Sequence, residues 1–379
     1  MPVNIERADI KLDAVIGTYL GNDIGYIRFV KFNNKAAAQV KKALLDLKEQ
    51  GAKKLIIDVR GNPGGLLDQV IKIVNFFIPQ GKVVVTTKGR FEKYNKTYQT
   101  KNPSIDEEIP IVILVNNRSA SASEILSGSL QDYDRAVIIG DTTYGKGLVQ
   151  RTFKVKYGTY MKQTISKYYI PSGRLIQKID YWHRDKNGKP LLMRDNLAEK
   201  SFKTTNGRIV HNLGGVVPDI VIHPDPEESL IKDLIRQNIL FDFATWYYYT
   251  QPKPADGKSF KLSDKAFELF LSYLKSNHIN PMSQAEKMLQ NAYEKAQNEQ
   301  QPEAILQTYN KLINDYNTAD LELLKKYKSY ILDQISQDLV RRYFGQKALM
   351  PYQFTHDPVI EKAKNVLNNP AEYKGILGK

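Results

Sequence analysis

Residues 109–125, IPIVILVNNRSASASEI, join an uninterrupted apolar run to a short polar turn. The run at 111–115 is short and rich in β-branched residues, which is typical of a strand buried on both faces. The residues after the turn predict a helix from about 122 to 131. The stretch therefore predicts a strand, a turn and a helix in direct succession, and the turn carries three small hydroxyl groups, those of Ser119, Ser121 and Ser123.

The same alternation extends on both sides of this stretch. Apolar runs of strand length are separated by segments in which apolar residues recur at helical spacing. Strands that alternate with helices need crossover connections, so we predict an α/β fold with a largely parallel sheet. Helical stripes are predicted over 40–47 and 66–74, and the predicted strands are 24–32, 54–59, 83–87, 111–115, 136–140 and, ended by a Pro-Ser-Gly turn, 158–174.

From about residue 228 the pattern changes to long polar segments with apolar residues at helical spacing. Residues 251–259, QPKPADGKS, have the composition of a linker. We therefore predict an α/β core over 24–227 and a mainly helical C-terminal region over 228–379. The stripes behind this prediction are Phe267, Phe270, Leu271 and Leu274, and Leu321, Leu324, Tyr327 and Ile331.

Length and composition exclude several classes of protein. At 379 residues the chain exceeds the size at which a single core usually stops growing, so more than one domain is expected. No apolar run reaches the roughly 18 residues of a membrane-spanning helix, and the first twelve residues lack the apolar core of a signal peptide. There is no cysteine, which excludes disulfides, thiolate metal sites and a cysteine nucleophile.

The net charge of +14 raises the question of nucleic-acid binding. The lysines are spread along the chain, however, and no zinc-finger or RNP pattern concentrates them. We therefore expect no nucleic-acid partner. The charge indicates instead a solvated basic surface or attraction to acidic partners.

A serine hydroxyl is a poor nucleophile until a neighbouring base accepts its proton. No G-x-S-x-G elbow is present, and the histidines all lie outside the α/β block that carries the glycine-rich turns: His183, His211, His223, His278 and His356. A triad with histidine is disfavoured but not excluded. Lys146 stands between two glycines just after an apolar strand, where close backbone packing can remove water from an ammonium. Desolvation favours a neutral amine, which can act as general base, and the side-chain carbonyl of Gln150 could hold it.

A second glycine-rich turn, DVRGNPGG at 58–65, also follows a predicted buried strand and precedes a helix. Its backbone N–H groups could hold an oxyanion or a phosphate. The segment is not a Walker A loop, because no G-K-[ST] follows, and it lacks G-x-G-x-x-G. Taken alone, the turn could also serve only to reverse the chain.

Three motifs in this order, DVRGNPGG (58–65), SASASEI (119–125) and YGKGLVQ (144–150), resemble those of the C-terminal processing peptidases, also called tail-specific proteases. These are serine peptidases with a serine–lysine dyad. The resemblance is close from about residue 25 to 171 and continues through 168–178 and 214–220. It implies that Ser121 is the nucleophile, Lys146 the general base and Gln150 the residue that orients it, with an oxyanion hole formed by the amides of Ala122 and Gly64 or, as the alternative, Gly65.

The resemblance also implies what the chain does. We expect a serine endopeptidase that cleaves protein or peptide substrates near their free C-termini through an acyl-enzyme, without metal or organic cofactor. It further implies a periplasmic or cell-envelope location, and we expect that the helical region could support a homo-oligomer. Family members typically carry a PDZ domain ahead of the protease core, and residues 1–23, above all 4–15, resemble the end of such a domain.

Two other functions fit parts of the sequence. A peptide-binding scaffold could keep this fold and have lost turnover, but it would have no chemical reason to keep Ser121, Lys146 and Gln150 together. A nucleotide-binding enzyme could use RGNPGG, but no phosphate-contacting lysine or acidic metal ligand stands at the right offset. Labelling with a serine-reactive phosphonate, with and without Ser121, distinguishes the scaffold from the peptidase.

Overall fold

A computed structural model describes residues 6–7, 13–193, 200–212, 214–223 and 228–379. The chain divides into two compact units, Met1–Ile222 together with Val359–Lys379, and His223–Pro358. None of the helices in the described ranges combines the length and the apolarity that crossing a lipid bilayer requires.

The first unit contains the described strands. They are β1 (Val15–Tyr19), β2 (Ile24–Phe29), β3 (Lys54–Asp58), β4 (Val83–Lys88), β5 (Lys96–Gln99), β6 (Ile111–Val115), β7 (Ala136–Gly140), β8 (Leu148–Lys154), β9 (Tyr160–Tyr169), β10 (Ile179–Arg184), β11 (Pro190–Leu192), β12 (Ser201–Lys203), β13 (Ile209–His211) and β14 (Ile220–Val221). The helices of this unit are α1 (Ala36–Glu49), α2 (Leu67–Val74) and α3 (Ala122–Asp132), and near the C-terminus α11 (Pro358–Asn368) and α12 (Pro370–Ile376).

The main sheet has the order β1-β2-β3-β6-β7-β14, and its strands are parallel from β2 onward. Strand β6 lies inside the sheet, and all five of its residues are inaccessible to solvent. Helices α1, α2 and α3 contribute their apolar stripes to the same core. The predicted α/β fold with a largely parallel sheet, followed by a helical region, is confirmed.

A second sheet, β5-β4-β9-β8, is antiparallel throughout. Residues 83–87 were predicted as a further strand of the alternating pattern, and they do form β4, but in this second sheet. The apolar run has the same composition in either sheet. The strand joins the second sheet because it pairs with β9, where Thr86 lies opposite Tyr169, and local sequence does not encode such a long-range contact.

The structure extends the α/β core at its N-terminal side. The core was predicted to begin at residue 24, but β1 pairs antiparallel with β2 at the edge of the main sheet. Edge strands bury less surface, and Ile16 is exposed, so the apolar pattern there is weak. Residues 1–5 and 8–12, which include most of the segment 4–15 that resembles the end of a PDZ domain, lie outside the described residues.

The end of the chain returns to the α/β unit. The Tyr373 hydroxyl accepts a hydrogen bond from the N–H of Ile111 at 2.9 Å, at the start of β6. The side chain of Asn206 donates to the carbonyl of Leu377 at 2.7 Å. The region predicted as one helical part over 228–379 is thus divided at Pro358, because helical periodicity does not show which core a helix covers.

The second unit is formed by α4 (Ser229–Arg236), α5 (Ile239–Thr250), α6 (Asp264–Ser276), α7 (Gln284–Asn298), α8 (Glu303–Lys326), α9 (Lys328–Phe344) and α10 (Gln346–His356). Its core is aromatic and aliphatic, with Phe243, Phe267 and Phe270 packed against Ile331 and Ile335. The predicted linker 251–259 lies between α5 and α6 and contains neither helix nor strand.

Candidate active site

The Ser121 turn connects β6 to α3 in an unusual backbone conformation. Ser121 has φ 56° and ψ −111°, a combination that a residue with a side chain rarely adopts and that costs on the order of 1–3 kcal/mol. Strain of this kind persists only where surrounding contacts hold the backbone. The contacts that do so here involve the other two motifs of the sequence.

Both serines beside Ser121 bind the glycine-rich turn at 58–65. The Ser119 hydroxyl donates to the carbonyl of Val59 at 2.8 Å, and the Ser123 hydroxyl donates to the carbonyl of Asn62 at 3.0 Å. Both serine side chains are fully buried. Their hydroxyl groups are therefore used in structure, which leaves Ser121 as the half-buried serine of the three.

A buried carboxylate joins the Ser121 turn to the loop of Lys146. One oxygen of Glu124 accepts the backbone N–H groups of Ser121 at 2.8 Å and of Lys146 at 2.9 Å. Its other oxygen accepts the hydroxyl of Thr143 and the N–H of Gly145, both at 2.6 Å. Burial raises the pKa of Glu124, although these hydrogen bonds oppose the shift. Glu124 thereby fixes the backbones of both predicted dyad residues.

A buried tyrosine contacts the backbone carbonyl groups of the same two residues. The hydroxyl of Tyr168, in β9, donates to the carbonyl of Lys146 and lies 3.4 Å from that of Ser121. Burial, and next the charge of Glu124, raise the pKa of Tyr168 well above its usual range, so the phenol stays a donor. Glu124 binds the N–H groups of Ser121 and Lys146 while Tyr168 binds their carbonyl groups, and we name this pair the clamp.

The predicted site residues all line one cleft of ≈ 420 Å³. Ser121 lies at the start of α3, and Lys146 lies just before β8 with its side chain half-buried. Gln150 follows an irregularity in the pairing of β8 with β9, and such irregularities change the direction of side chains. The predicted residues that line the cleft are Ser121, Lys146, Gln150, Gly64, Gly65 and Ala122.

The backbone of Gly64 approaches Ser121 so closely that no other residue fits. A Cβ atom added at Gly64 would lie 2.6 Å from the carbonyl oxygen of Ala120 and 2.9 Å from Cβ of Ser121. The N–H of Gly64 donates to Oδ1 of Asn62 at 2.8 Å. By contrast, the N–H groups of Gly65 and Ala122 have no hydrogen-bond partner among the described residues. The amides of Gly65 and Ala122 are thus available to a bound oxyanion, whereas the N–H of Gly64 is already used. The part in the oxyanion hole that was predicted first for Gly64 stays a prediction.

The start of the same turn is held by a buried ion pair. Arg60 contacts the carboxylate of Asp58 at 2.7 Å, and the hydroxyl of Tyr26 donates to that carboxylate at 2.7 Å. Burial raises the pKa of Asp58, but Arg60 and the hydrogen bonds outweigh it and lower the pKa overall. The glycine-rich turn therefore leaves β3 in a fixed direction.

Sequence reasoning did not identify Glu124, Tyr168 or Asn62. A signal existed for Glu124, since Ser121-Ala-Ser-Glu124 has the Ser-x-x-Glu spacing of a helix capping box. Tyr168 has no comparable signal, because it lies 47 residues from Ser121 in sequence and reaches the site through pairing in the second sheet. In the described residues no group of three or more His, Asp or Glu side chains is placed to hold a metal ion.

Comparison with known proteins identifies two matching segments. Residues 23–181 match peptidase family S41, and residues 230–367 match the family described as "probable PDZ-protease, C-terminal helical domain". The first segment contains every predicted site residue. The second lies within the part that was predicted to be helical.

Curated relatives match part of the chain. A probable CtpA-like serine protease of Staphylococcus aureus (strain N315) is 42% identical over 177 residues, which are 46% of this chain and 35% of the relative. A carboxyl-terminal-processing protease of Picosynechococcus sp. (strain PCC 7002) is 42% identical over 182 residues, 47% of this chain and 43% of the relative. The matched part thus spans less than half the length of these relatives.

Among solved structures, the photosystem II D1 C-terminal processing protease is similar to this chain, with 26% sequence identity and a TM-score of 0.43. The match covers 58% of this chain and 50% of that protein. Residues 23–181 thus form a segment that matches peptidase family S41, and curated proteases are similar to this chain over less than half of its length.

Proposed function

We propose that the chain is a serine endopeptidase that uses Ser121 as nucleophile and Lys146 as general base. The observation that carries this proposal is the clamp, which binds the N–H and carbonyl groups of both residues and so fixes their separation. A buried carboxylate that connects two loops, as Glu124 does, is expected where the loops must keep a fixed geometry, since catalysis tolerates little displacement.

The reaction follows from the groups that line the cleft. The Ser121 oxygen attacks the substrate carbonyl carbon while the neutral amine of Lys146, oriented by Gln150, accepts the hydroxyl proton. The resulting oxyanion accepts hydrogen bonds from the amides of Ala122 and Gly65. The peptide C–N bond then breaks, and the leaving amine takes the proton from Lys146. The same amine then takes a proton from water, which attacks the acyl carbon. The ester C–O bond breaks, the substrate leaves as a carboxylic acid, and the Ser121 oxygen takes back the proton from Lys146.

We further propose that cleavage occurs near substrate C-termini. The support is the name of the Picosynechococcus relative, a carboxyl-terminal-processing protease that is 42% identical to this chain over 182 residues. A preference for free C-termini is tested by comparing substrates with free and amidated ends. Equal cleavage of both would contradict the preference for free C-termini but not the proposed peptidase activity.

The central test is cleavage of an unfolded protein substrate by the wild type and by Ser121→Ala and Lys146→Ala variants. Both variants should lose turnover, whereas Lys186→Ala, which removes an exposed lysine between β10 and β11, should retain it. Wild-type turnover in either site variant would contradict the dyad, and a folded wild type that binds peptides without cleaving them would indicate a scaffold.

A further inference from the structure

The hairpin of β8 and β9, residues 148–169, carries positive charge next to the cleft. From Lys146 to the end of β9 the chain has no Asp or Glu, and its six cations are Lys146, Arg151, Lys154, Lys156, Lys162 and Lys167. No ion pair of these six is found among the described residues, although lysines elsewhere are paired, as Lys48 is with Asp106. We name this hairpin the basic ribbon.

Two of these lysines lie on the face of the ribbon that continues from the cleft. Side chains alternate between faces along a strand, and cross-strand partners share a face. Both Gln150 and Lys162 line the cleft, which identifies the face that is turned toward it. The pairs on this face are Gln150–Thr164, Thr152–Lys162 and Lys154–Tyr160.

The spacing on this face suits an extended chain. At about 3.3 Å per residue, Lys162 lies level with a position about 7 Å beyond Gln150, and Lys154 lies about 13 Å beyond it. Both side chains are exposed. The opposite face carries Arg151, whose guanidinium lies over the Phe153 ring, and Lys156 lies in the turn between the two strands. These two cations can therefore be removed without changing Lys154 or Lys162.

The outer edge of β8 is also unpaired. Strand β8 ends the order β5-β4-β9-β8, and in the described ranges no strand pairs with its other side. Free backbone groups on such an edge can bind an extended polypeptide as an added strand. A peptide in that position would run from Gln150 past Lys162 and Lys154.

We propose that the basic ribbon selects polypeptide substrates with two acidic residues, spaced two positions apart on one side of the cleaved bond, which Lys162 and Lys154 bind. This inference rests on the proposed peptidase function and adds a substrate class to it. A polypeptide is favoured over other polyanions because the two lysines continue the wall of the cleft and the adjacent strand edge matches an extended backbone.

The test uses peptide pairs that are identical except for two Asp residues in one member and two Asn in the other. The two residues are spaced two positions apart and are placed at successive distances from the cleaved bond, on each side in turn. For one side we expect kcat/KM to be about five- to tenfold higher for the Asp member at 50 mM salt. The ratio should fall toward one at about 0.5 M salt, because exposed charges are screened.

The variant Lys154→Gln/Lys162→Gln should bring the Asp-to-Asn ratio close to one. The matched control, Arg151→Gln/Lys156→Gln, removes the same charge from the opposite face and the hairpin turn and should keep the ratio. Circular dichroism of both variants checks that they are folded. A ratio near one in the wild type, or a ratio lost equally in both variants, would overturn the proposal.

Binding separates this inference from the proposed catalysis. Fluorescein-labelled peptides of both kinds are titrated with the Ser121→Ala chain and followed by anisotropy, and the Asp peptide should bind about five- to tenfold more tightly. If no peptide is cleaved by the wild type, the proposed function fails, while this titration still decides the inference. Equal affinities, combined with binding to phosphatidylglycerol vesicles that the Lys154→Gln/Lys162→Gln variant loses, would assign the ribbon to an anionic membrane surface and overturn the proposal.

Discussion

Helices α3 and α7 begin with the same four-residue pattern, Ser-x-x-Glu, and use it in different ways. At α7, Ser283 has the extended backbone of an ordinary N-cap, and its hydroxyl accepts the N–H of Glu286 at 3.1 Å. At α3, Ser121 is in a strained conformation, and Glu124 extends beyond its own helix to the loop of Lys146. The local pattern starts both helices, but only at α3 does it join distant segments.

The two glutamates also differ in how they are satisfied. Both are fully buried. Glu124 accepts four hydrogen bonds from N–H and hydroxyl groups, whereas the Glu286 carboxyl faces the carboxyl of Asp320 and accepts none from such groups among the described residues. Burial, and next the neighbouring Asp320, raise the pKa of Glu286 to about 7. The buried carboxylate of Glu124 thus connects two loops of the α/β unit, whereas that of Glu286 destabilises the helical unit when it is ionised.

The largest effect is expected from Glu124→Gln. The amide offers one acceptor oxygen where the carboxylate offers two, and its NH₂ group would face N–H donors, so the contacts to Ser121 and Lys146 cannot all be kept. We expect kcat to fall by at least about 100-fold, since small displacements at a catalytic centre have effects of this size. Steady-state cleavage of an unfolded protein measures it. Near wild-type kcat in a folded variant would show that the clamp does not set the geometry of the site.

The corresponding change in the helical unit, Glu286→Gln, should stabilise the protein at high pH. Because the pKa of Glu286 is raised from 4.5 to about 7 on folding, its stabilising proton is fully present below about pH 4.5 and is lost as the pH rises through 7. The free energy of unfolding of the variant minus that of the wild type should increase by about 2–3 kcal/mol from pH 5 to pH 8. Urea unfolding at both pH values measures this, and parallel pH dependences would contradict it.

Removal of the second half of the clamp, in Tyr168→Phe, should have a smaller effect. The ring stays buried, and only the hydrogen bond to the carbonyl groups of Lys146 and Ser121 is lost. We expect the protein to lose about 1–2 kcal/mol of stability and kcat to fall by less than in Glu124→Gln. Thermal unfolding together with kinetics tests this order, and a larger loss of kcat than in Glu124→Gln would reverse the assigned importance of the two residues.

A smaller loss of stability is expected from Ser283→Ala, which removes an ordinary N-cap. The free energy of unfolding should fall by about 1 kcal/mol. Ser121→Ala, the same substitution at the other Ser-x-x-Glu, should change stability by less, because the strained backbone there is held by Glu124 and Tyr168 through main-chain atoms. Equal destabilisation by both substitutions in urea unfolding would mean that Ser121 is a capping residue as well.

The sequence predicts best what depends on burial within one segment. The strand at 111–115 and the helix starting at 122 are found where they were expected, since an apolar run buried on both faces and a helix start are local patterns. Tyr168, the second-sheet position of β4 and the return of Tyr373 to Ile111 depend on pairing between distant segments, and no local pattern encodes them. The six predicted site residues meet in one cleft, but their chemical roles stay predictions.

The return of residues 359–379 to the α/β unit has a consequence for how the protein is made. The helical unit is synthesised between the two parts of the α/β unit, which at about 5–20 residues per second delays completion of that unit by on the order of 10 s. Throughout this interval the ribosome-bound chain already contains Ser121 and Lys146 but lacks Tyr373, which binds the start of β6. All strands of the main sheet are thus synthesised before the helical unit, and the hydrogen bond between Tyr373 and the start of β6 is the contact that forms late.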